Sequence, residues 1–496
     1  MHPGGQNRLP ESGSTCASAS GFGFRSPVFG GLLGPANEEI LQDRFPSDRV
    51  SRSSAVGRRR ERALRTQATK GSDCRARKKR HNAAQKASEV SGGYASMGRL
   101  KVLIVGGGIG GITAMLALRQ RGIEAQLFEQ AAAFGQVGAG LQVSSNAACI
   151  LIRLGLGEAL KRVATYPDGR DYRGWDTGER LYYTPLGQKA EAHFGSPYYA
   201  AHRAELLDVL LSGLGKQGVQ LGSRIERIEQ DQNSVSLTLA GGSTVQGDIL
   251  IGADGIHSMV RTQLFGKELP RYTGNVAWRG LVPAERVAHL DLGSVVGVWM
   301  GPNRSIVQYY VSAGKTFNWI GISRSSQPAQ ESWLAEGKTE DILAEYDGWH
   351  STIRTIIAET PKVLRQALYD REPLPDWRVG RVVLMGDAAH PMMPFYAQGG
   401  AQSIEDAYVL SGCIAEGQDR PLEALARFVR MRQPRTAWMQ GLARREEELY
   451  QMNDAAAIRA RNDRMRTNRI PETATFPPEQ ERLYGYDAEV ELRKSA

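Results

Sequence analysis

A glycine-rich turn has the composition of a phosphate-binding loop. Gly106, Gly108 and Gly111 follow the apolar run Leu100–Val105 and lead into a helical pattern. In such a turn one glycine permits the tight bend, one lets a phosphate approach the backbone, and one lets the helix pack closely on the strand. Free N–H groups at the start of the helix then face the phosphates. The spacing predicts a dinucleotide-binding site, which also includes Gly110.

An acidic side chain after the next strand completes this pattern. The run Ala125–Phe128 predicts a second parallel strand, and Glu129 follows it directly. An acid at this place accepts hydrogen bonds from ribose hydroxyls. We therefore expect Glu129 and its neighbour Gln130 to contact the adenosine part of a dinucleotide. The alternative interpretation is a glycine-rich turn with a purely structural role.

Two further motifs each place an aspartate after an apolar run. Asp254-Gly255 follows Asp248–Ile251, and Gly386-Asp387 follows Arg381–Met385. Continuous apolar runs of this length, rich in β-branched residues, are typical of buried parallel strands. For both aspartates a tight turn or helix cap is the alternative to a role in ligand binding.

The glycine turn and these two motifs occur in the order typical of one family. Over residues 99–450 the chain resembles the group A flavoprotein monooxygenases, which are single-component FAD-dependent aromatic hydroxylases. The similarity extends to the branch of salicylate hydroxylase, 3-hydroxybenzoate 6-hydroxylase and 6-hydroxynicotinate 3-monooxygenase. It implies an α/β fold with an α+β substrate region: a Rossmann-type FAD-binding domain, an inserted, mostly antiparallel substrate domain, and C-terminal helices.

The resemblance implies FAD contacts in the second half of the chain. Asp387 would contact the ribityl chain of FAD. Gly399 and Gly400 would bring backbone N–H groups and a helix N-terminus to the pyrimidine side of the flavin, where they stabilise negative charge on the reduced ring.

Three contacts are implied nearer the N-terminus of the folded part. Arg203 would reach the FAD, with a surface ion pair as the alternative. Gly140 would lie beside the flavin ring. Asp254 would lie near the pyrophosphate and take part in the use of NAD(P)H.

The reaction implied by the resemblance uses NAD(P)H and O₂. Hydride transfer to FAD and addition of O₂ give a flavin C4a-hydroperoxide, which transfers oxygen to a small phenolic aromatic acid, salicylate-like first. The stretch Asn275–Pro283 resembles the salicylate hydroxylase branch, and Leu483–Asp487 recurs in related hydroxylases. Only one glycine fingerprint is present, which favours transient docking of NAD(P)H.

The substrate pocket is expected to be apolar with a few placed polar groups. Candidates for its lining are Asn275, Trp278, Tyr309, Pro394 and Phe395. The alternative for each aromatic side chain is ordinary core packing, because strands are rich in aromatic residues. The pattern identifies no catalytic base and no metal site.

The composition excludes several classes of protein. The 496 residues are 41% hydrophobic, with 62 Lys+Arg against 53 Asp+Glu, and no apolar run is long enough to cross a bilayer. Residues 1–96 hold 17 Lys+Arg and 8 Asp+Glu, so the other 45 basic and 45 acidic residues balance. We expect a dispensable basic extension there; a nucleic-acid-binding arm or a transit peptide are the alternatives. Four widely spaced cysteines favour a reducing, cytoplasmic setting.

The expected domains follow the motifs: a disordered basic extension over 1–96, the FAD-binding domain over 97–268 (with insertions that belong to the substrate domain) and over 377–450, the substrate domain over 269–376, and a C-terminal tail over 451–496. Two other functions stay open. One is an FAD-dependent epoxidase, hydroxylase or dehydrogenase acting on a more hydrophobic substrate. The other is a nucleic-acid-binding or regulatory protein that acts through the basic extension, although nucleic acid is not an expected partner. The oligomeric state stays open, a homodimer included.

Overall fold

A computed structural model of the chain describes residues 100–135, 139–215, 217–326, 335–467 and 476–495. The expected basic extension, residues 1–96, lies outside these ranges. None of the helices within them combines the length and apolar composition that crossing a membrane requires. The same ranges contain no group of three or more His, Cys, Asp or Glu side chains that could hold a metal ion.

The strands belong to four sheets. In chain order they are β1 (Lys101–Val105), β2 (Glu124–Phe128), β3 (Gly140–Val143), β4 (Gly169–Gly174), β5 (Arg180–Pro185), β6 (Tyr199–His202), β7 (Val219–Gln220), β8 (Ile225–Gln230), β9 (Val235–Leu239), β10 (Thr244–Gly247), β11 (Ile249–Gly252), β12 (Arg271–Pro283), β13 (Val295–Gly301), β14 (Arg304–Val311), β15 (Thr316–Arg324), β16 (Val363–Asp370), β17 (Arg378–Val379) and β18 (Val382–Leu384).

The helices cover the sheets and form most of the C-terminal part. They are α1 (Ile109–Gln120), α2 (Ser145–Arg153), α3 (Gly157–Val163), α4 (Gly187–Phe194), α5 (Arg203–Leu214), α6 (Met259–Phe265), α7 (Ala284–Val287), α8 (Thr339–Glu345), α9 (Ser351–Ala358), α10 (Gly399–Glu416), α11 (Pro421–Tyr450), α12 (Ala455–Thr467), α13 (Pro478–Tyr484) and α14 (Ala488–Lys494).

A six-stranded, mostly parallel sheet forms the nucleotide-binding half, in the order β17-β18-β11-β1-β2-β7. Strand β1 pairs in parallel with both β2 and β11, and β11 pairs in parallel with β18. Val102, Leu103 and Ile104 are fully buried because α1 and the three-stranded sheet of β8, β9 and β10 pack into the same core as β1. The predicted parallel strands and the Rossmann-type fold are therefore confirmed.

A seven-stranded sheet, in the order β16-β12-β15-β14-β13-β4-β5, forms the second half. Its neighbouring strands are antiparallel except β13 and β4, which are parallel. The expected mostly antiparallel region is confirmed, and β4 and β5 join it from a much earlier part of the chain. Sequence patterns do not reveal such a long-range pairing, because strand order depends on contacts between distant segments.

The two faces of this sheet bury different sets of side chains, since neighbouring residues of a strand alternate. The inner face packs against residues 386–398, which we call the G-D loop, and against α11. The outer face packs under α8 and α9 around Trp278, Trp319 and Tyr346.

The expected C-terminal tail, residues 451–496, is helical where the structure describes it. Its helices are α12, α13 and α14. Leu483 and Tyr484 are almost fully buried, and Asp487 caps α14 by accepting from the N–H groups of Glu489 and Val490. Burial and capping together hold this segment against the rest of the fold.

Candidate functional site

The glycine turn joins three strands of the parallel sheet. The N–H of Gly106 donates to Phe128 O at 2.9 Å, and Gly106 has a φ of 110°. A Cβ at this position would lie 2.3 Å from Ala253 O, so any other residue would be strained and would collide with the loop after β11. The turn therefore requires glycine at position 106.

Helix α1 begins in this turn with an open N-terminus. Gly108 precedes the helix, no side chain caps it, and its first turn has no acidic residue. No heavy atom lies within 4 Å of a Cβ built at Gly108. Farther into the helix, Gly110 faces Ser403 of α10, and Gly111 faces the carbonyl of Gly106. Open N–H groups at a helix N-terminus are an anion-binding feature.

Glu129 closes the edge of the turn. Its Oε2 accepts from Gly107 N at 2.6 Å and its Oε1 accepts from Ala131 N at 2.8 Å. Each carboxylate oxygen has a second lone pair, so the side chain can still accept from a ribose hydroxyl. Gln130 beside it is exposed.

Gly140 and Arg203 are brought together by the pairing of β3 with β6. Gly140 lies opposite His202 in the register, and Arg203 N donates to Ala139 O at 3.0 Å. Gly140 N in turn donates to Asn318 Oδ1 of the seven-stranded sheet at 2.7 Å. This small pair of strands thus connects the nucleotide-binding half to the seven-stranded sheet.

Asp387 lies in a deep cleft of the protein. Its side chain is accessible to solvent, although protein atoms surround it on most sides. Burial raises the pKa of this carboxyl group, whereas the nearby His390 and Arg203 lower it. Asp387 and Arg203 are therefore neighbours in the fold, although they are far apart in sequence. A Cβ at Gly399 would lie 3.9 Å from Asp387 Oδ1.

Helix α10 presents a second open N-terminus at the same cleft. Its first residues are Gly399 and Gly400, no side chain caps it, and no acid occurs in its first turn. No heavy atom lies within 4 Å of a Cβ built at Gly400. The residue Ala397 just before the helix has a φ of 54°, a left-handed conformation that costs a non-glycine residue about 1–3 kcal/mol.

Asp254 has internal partners. Its Oδ1 accepts from Ser258 Oγ at 2.5 Å, and its Oδ2 accepts from Val260 N at 3.0 Å. Burial raises the pKa of the carboxyl group and these hydrogen bonds lower it. The geometry is that of a side chain that holds the loop before α6, close to the glycine turn through Ala253.

These features fit a dinucleotide such as FAD. The open end of α1 suits a pyrophosphate, Glu129 suits a ribose, and Asp387, beside Arg203 and the start of α10, suits a ribityl chain. The open N-terminus of α10 suits a ring that gains negative charge on reduction. Sequence-predicted residues from five separate segments therefore converge on one cleft.

The substrate-pocket candidates divide between the two faces of the seven-stranded sheet. Asn275 and Tyr309 point to the inner face, where Asn275 Nδ2 donates to Glu447 Oε1 at 2.8 Å. Trp278 points to the outer face, where its Nε1 donates to Glu345 Oε2 at 3.0 Å. Alternation along β12 thus places Trp278 away from the G-D loop.

The neighbouring Arg279 lies on the inner face instead. It pairs in register with Ile320, which packs with the inner face together with Leu281 and Val307. The guanidinium is surrounded by protein yet partly accessible, and burial lowers its pKa to about 10 while Tyr309 raises it. The sequence alone did not identify Arg279 as a candidate. The signal that could have found it is its spacing of two residues from Ala277, because such residues lie on the same face of a strand.

The two loop candidates lie across from this face. Pro394 and Phe395 belong to a short 3-10 helix over Pro394–Tyr396. Phe395 is 6% exposed, and its ring centroid lies 6.0 Å from that of Tyr450 on α11. The Phe395 ring therefore belongs to the apolar core on this side of the sheet.

A buried charge network behind the G-D loop was also missed. Asp406 Oδ2 accepts from Gly386 N at 3.0 Å and lies 2.6 Å from His390 Nε2. Asp406 Oδ1 accepts from Arg432 Nε at 2.7 Å. In the sequence, Asp406 and Arg432 look like ordinary surface residues of a helix. No local pattern shows that α10 and α11 bury their charged sides against each other.

Comparisons with known proteins agree with this geometry. The model of the FAD binding domain family matches residues 99–438. The chain is 37% identical over 375 residues to the 3-amino-4-hydroxybenzoate 2-monooxygenase of Streptomyces cremeus, covering 75% of this chain and 93% of that protein. It is 36% identical over 320 residues to the 6-hydroxynicotinate 3-monooxygenase of Bordetella bronchiseptica, covering 63% and 82% respectively.

The fold also matches solved structures. The crystal structure of Klebsiella pneumoniae HpxO complexed with FAD and uric acid superposes with a TM-score of 0.68 at 27% identity, covering 79% of this chain and 97% of that one. Family, relatives and cleft geometry therefore lead to one conclusion: the chain belongs to the FAD-binding aromatic monooxygenases, and its cofactor is FAD.

Proposed function

We propose that the protein uses NAD(P)H and O₂ to hydroxylate a small phenolic aromatic acid of salicylate-like size and charge. Bound FAD supplies the redox chemistry that couples oxidation of NAD(P)H to oxygen transfer. The observation that carries the proposal is Arg279, whose guanidinium lies on the inner face near Tyr309. The related enzymes named above act on a hydroxylated benzoate and a hydroxylated nicotinate.

Arg279 has the chemistry of an anchor for a carboxylate. A guanidinium binds a carboxylate through paired, charge-assisted hydrogen bonds. The inner face on which it lies also carries Leu281, Val307 and Ile320, which offer an aromatic ring an apolar surface. An aromatic acid bound in this way would have its charge at Arg279 and its ring between the sheet and the G-D loop.

The G-D loop would shield the reacting ring from water. Met393 and Phe395 are 2% and 6% exposed and pack with the inner face. An apolar wall here keeps competing water away from the bound cofactor. Asn318 would hold the opposite wall in place through its hydrogen bond from Gly140.

The proposal is tested with the FAD-loaded protein under air. The rates of NADH and NADPH oxidation are measured with salicylate, other hydroxybenzoates and hydroxynicotinates, while hydrogen peroxide and hydroxylated product are quantified. We expect one acid to stimulate oxidation with matching product. No stimulation by any acid, or stimulation that yields peroxide alone with every acid, contradicts the proposal.

A pair of arginine variants tests the carboxylate anchor. Arg279→Met should raise the KM for the acid about 10–100-fold, since it removes a charge-assisted pair of hydrogen bonds. The KM for the methyl ester of the same acid should change little. Arg286→Met is the matched control, because Arg286 is exposed and donates only to Glu359 O at 3.4 Å. Equal losses for acid and ester would exclude the anchor.

A further inference from the structure

The segment Leu483–Asp487, which the proposed reaction does not use, contacts a buried arginine of α11. Arg435 Nη2 donates to Leu483 O at 3.0 Å, and its Nη1 donates to Arg482 O at 3.1 Å. The Arg435 guanidinium carbon also lies 3.9 Å from the ring centroid of Tyr486. A cation over an aromatic face is a favourable contact, more so away from water.

The same arginine binds a fully buried carboxylate of α10. Arg435 Nε and Nη2 donate to the two oxygens of Glu405 at 2.7 and 2.8 Å. Burial raises the pKa of Glu405, but the charges of Arg435 and Arg432 outweigh it and the pKa is lowered. Two parallel hydrogen bonds of this kind fix the orientation of both groups.

From Glu405 the contacts continue to the start of α10. Glu405 Oε1 accepts from Asn146 Nδ2 at 2.5 Å, and Asn146 Nδ2 also lies 3.3 Å from Gln398 Oε1. Gln398 Nε2 donates to Ser144 Oγ at 2.9 Å. All of these side chains are buried. Gln398 directly precedes Gly399 and Gly400, the open N-terminus at the cleft.

The other end of the G-D loop connects to the same network. Arg432 donates to Glu405 Oε2 at 2.5 Å and to Asp406 Oδ1 at 2.7 Å, and Asp406 accepts from Gly386 N. Both ends of the loop, residues 386 and 398, are therefore tied to one set of buried charges. The C-terminal segment covers that set through Tyr486, whose ring lies 5.5 Å from the Arg432 guanidinium.

We propose that Leu483–Asp487 is a positioning segment for the flavin: it holds Arg435 against Glu405 and so sets the place of Gln398 and the N-terminus of α10. Tyr486 is the key positioning residue, because its ring contacts both arginines. The inference rests on the placement of the flavin beside Gly399 and Gly400, and is independent of the identity of the aromatic substrate.

The test compares Tyr486→Leu, Tyr486→Phe and the wild type. The apoprotein is titrated with FAD and the quenching of flavin fluorescence is followed. At saturating FAD the absorption spectrum and the peroxide formed per NADH oxidised are then recorded. We expect Tyr486→Leu to raise the Kd of FAD about 3–10-fold, to shift the flavin spectrum and to increase peroxide. Tyr486→Phe keeps the ring and should restore all three.

Arg482→Gln is the matched control. Arg482 is exposed and its guanidinium lies 4.2 Å from the centroid of the Trp438 ring, so the variant removes a similar contact directly before the segment without touching Glu405. It should leave the flavin spectrum unchanged. If Arg482→Gln and Tyr486→Leu change the spectrum equally, or if Tyr486→Leu lowers only the melting temperature, the positioning role is excluded.

A combined variant tests whether the contacts act as one path. Asn146 and Gln402 both donate to Glu405 Oε1 and Gln398 Oε1. Asn146→Ala with Gln402→Ala therefore breaks the path, and adding Tyr486→Leu should raise the Kd of FAD little more than the worse of the two parent variants. Multiplicative effects would mean independent sites and would overturn the inference. The Kd and the absorption spectrum need FAD alone, so they stay informative even if no aromatic acid proves to be a substrate.

Discussion

The backbone N–H of Gly140 donates to Asn318 Oδ1 at 2.7 Å, and a Cβ at position 140 would lie 2.4 Å from Asn318 Cγ. Strand β3, which is expected beside the flavin, therefore contacts β15 of the seven-stranded sheet so closely that position 140 has no room for a side chain. Gly140→Ala should lower kcat/KM by about tenfold or more, since small displacements in an active site are costly. Steady-state kinetics measure this loss.

The double variant Gly140→Ala with Asn318→Ala provides the check. Removing the Asn318 amide makes space for the new methyl group, so kcat/KM should recover part of the loss seen in Gly140→Ala. A kcat/KM of the double variant below that of both single variants would mean that the steric clash does not cause the loss of activity in Gly140→Ala.

Asp387→Asn should affect cofactor binding and stability in opposite directions. The uncharged side chain should weaken FAD retention if Asp387 holds the ribityl chain, and gel filtration with flavin quantification measures this. Burial raises the pKa of Asp387 above its ordinary value of 3.8. Ionisation therefore disfavours the folded apoprotein at neutral pH.

The pH dependence of the same variant has a defined sign. Below about pH 3.8 Asp387 is protonated in the folded and the unfolded state, and no stability difference arises from its charge. As the pH rises through the pKa of the unfolded state and then the raised pKa of the folded state, the free energy of unfolding of the wild-type apoprotein falls. That of Asp387→Asn does not change in this way. The variant should thus melt above the wild type at pH 7, with the gap closing below pH 4; a gap that does not depend on pH contradicts this assignment.

The charge pair of Asp406 and Arg432 should stabilise the fold over a different pH range. Burial raises the pKa of Asp406, but His390 and Arg432 outweigh it and lower the pKa to about 2 from 3.8. The contribution of ionised Asp406 to the free energy of unfolding is present above pH 3.8 and is lost as the pH falls towards 2. In Asp406→Asn the free energy of unfolding should fall less steeply between pH 3.8 and 2 than in the wild type, as acid unfolding curves measure. An unchanged pH dependence would assign the acid sensitivity to other carboxylates.

Arg432→Met should destabilise the protein by about 3–5 kcal/mol, because it removes a buried charge that Glu405 and Asp406 share and leaves them Arg435 and His390 as ion-pair partners. Denaturant unfolding measures the free energy. Arg430→Met, at an exposed site on the same helix, is the control and should change the free energy by less than about 0.5 kcal/mol.

Trp278→Phe should change stability and leave substrate binding alone. The Trp278 side chain is 1% exposed on the outer face and its Nε1 donates to Glu345. Loss of this hydrogen bond and of the larger ring should lower the free energy of unfolding by about 1–3 kcal/mol. Denaturant unfolding measures this change. A rise in KM comparable to that of Arg279→Met would place Trp278 in the substrate pocket.

Removal of residues 1–96 should leave FAD content and turnover unchanged, since all the recognised motifs lie beyond residue 99. Flavin absorbance per protein and the NAD(P)H oxidation rate of the shortened chain measure both. Loss of either property would show that the basic extension is needed.

The sequence by itself determined the nucleotide-binding half. Glycine spacing, short β-branched runs and the acidic residue after β2 are local features, and the conformational demands on Gly106 are met within a few residues. For the same reason the strands around Glu129, Asp254 and Asp387 were predictable. Their convergence on one cleft follows from parallel strands in one sheet.

Only the tertiary structure decided which side chains face the proposed substrate and what holds the G-D loop. The sequence analysis named Trp278, but the pairing of β12 with β15 and β16 turns Arg279 to the inner face. The partners of Arg435 are Glu405, Leu483 and Tyr486, which are distant in sequence. Such contacts depend on how separate helices and strands pack, and no local pattern of residues encodes that packing.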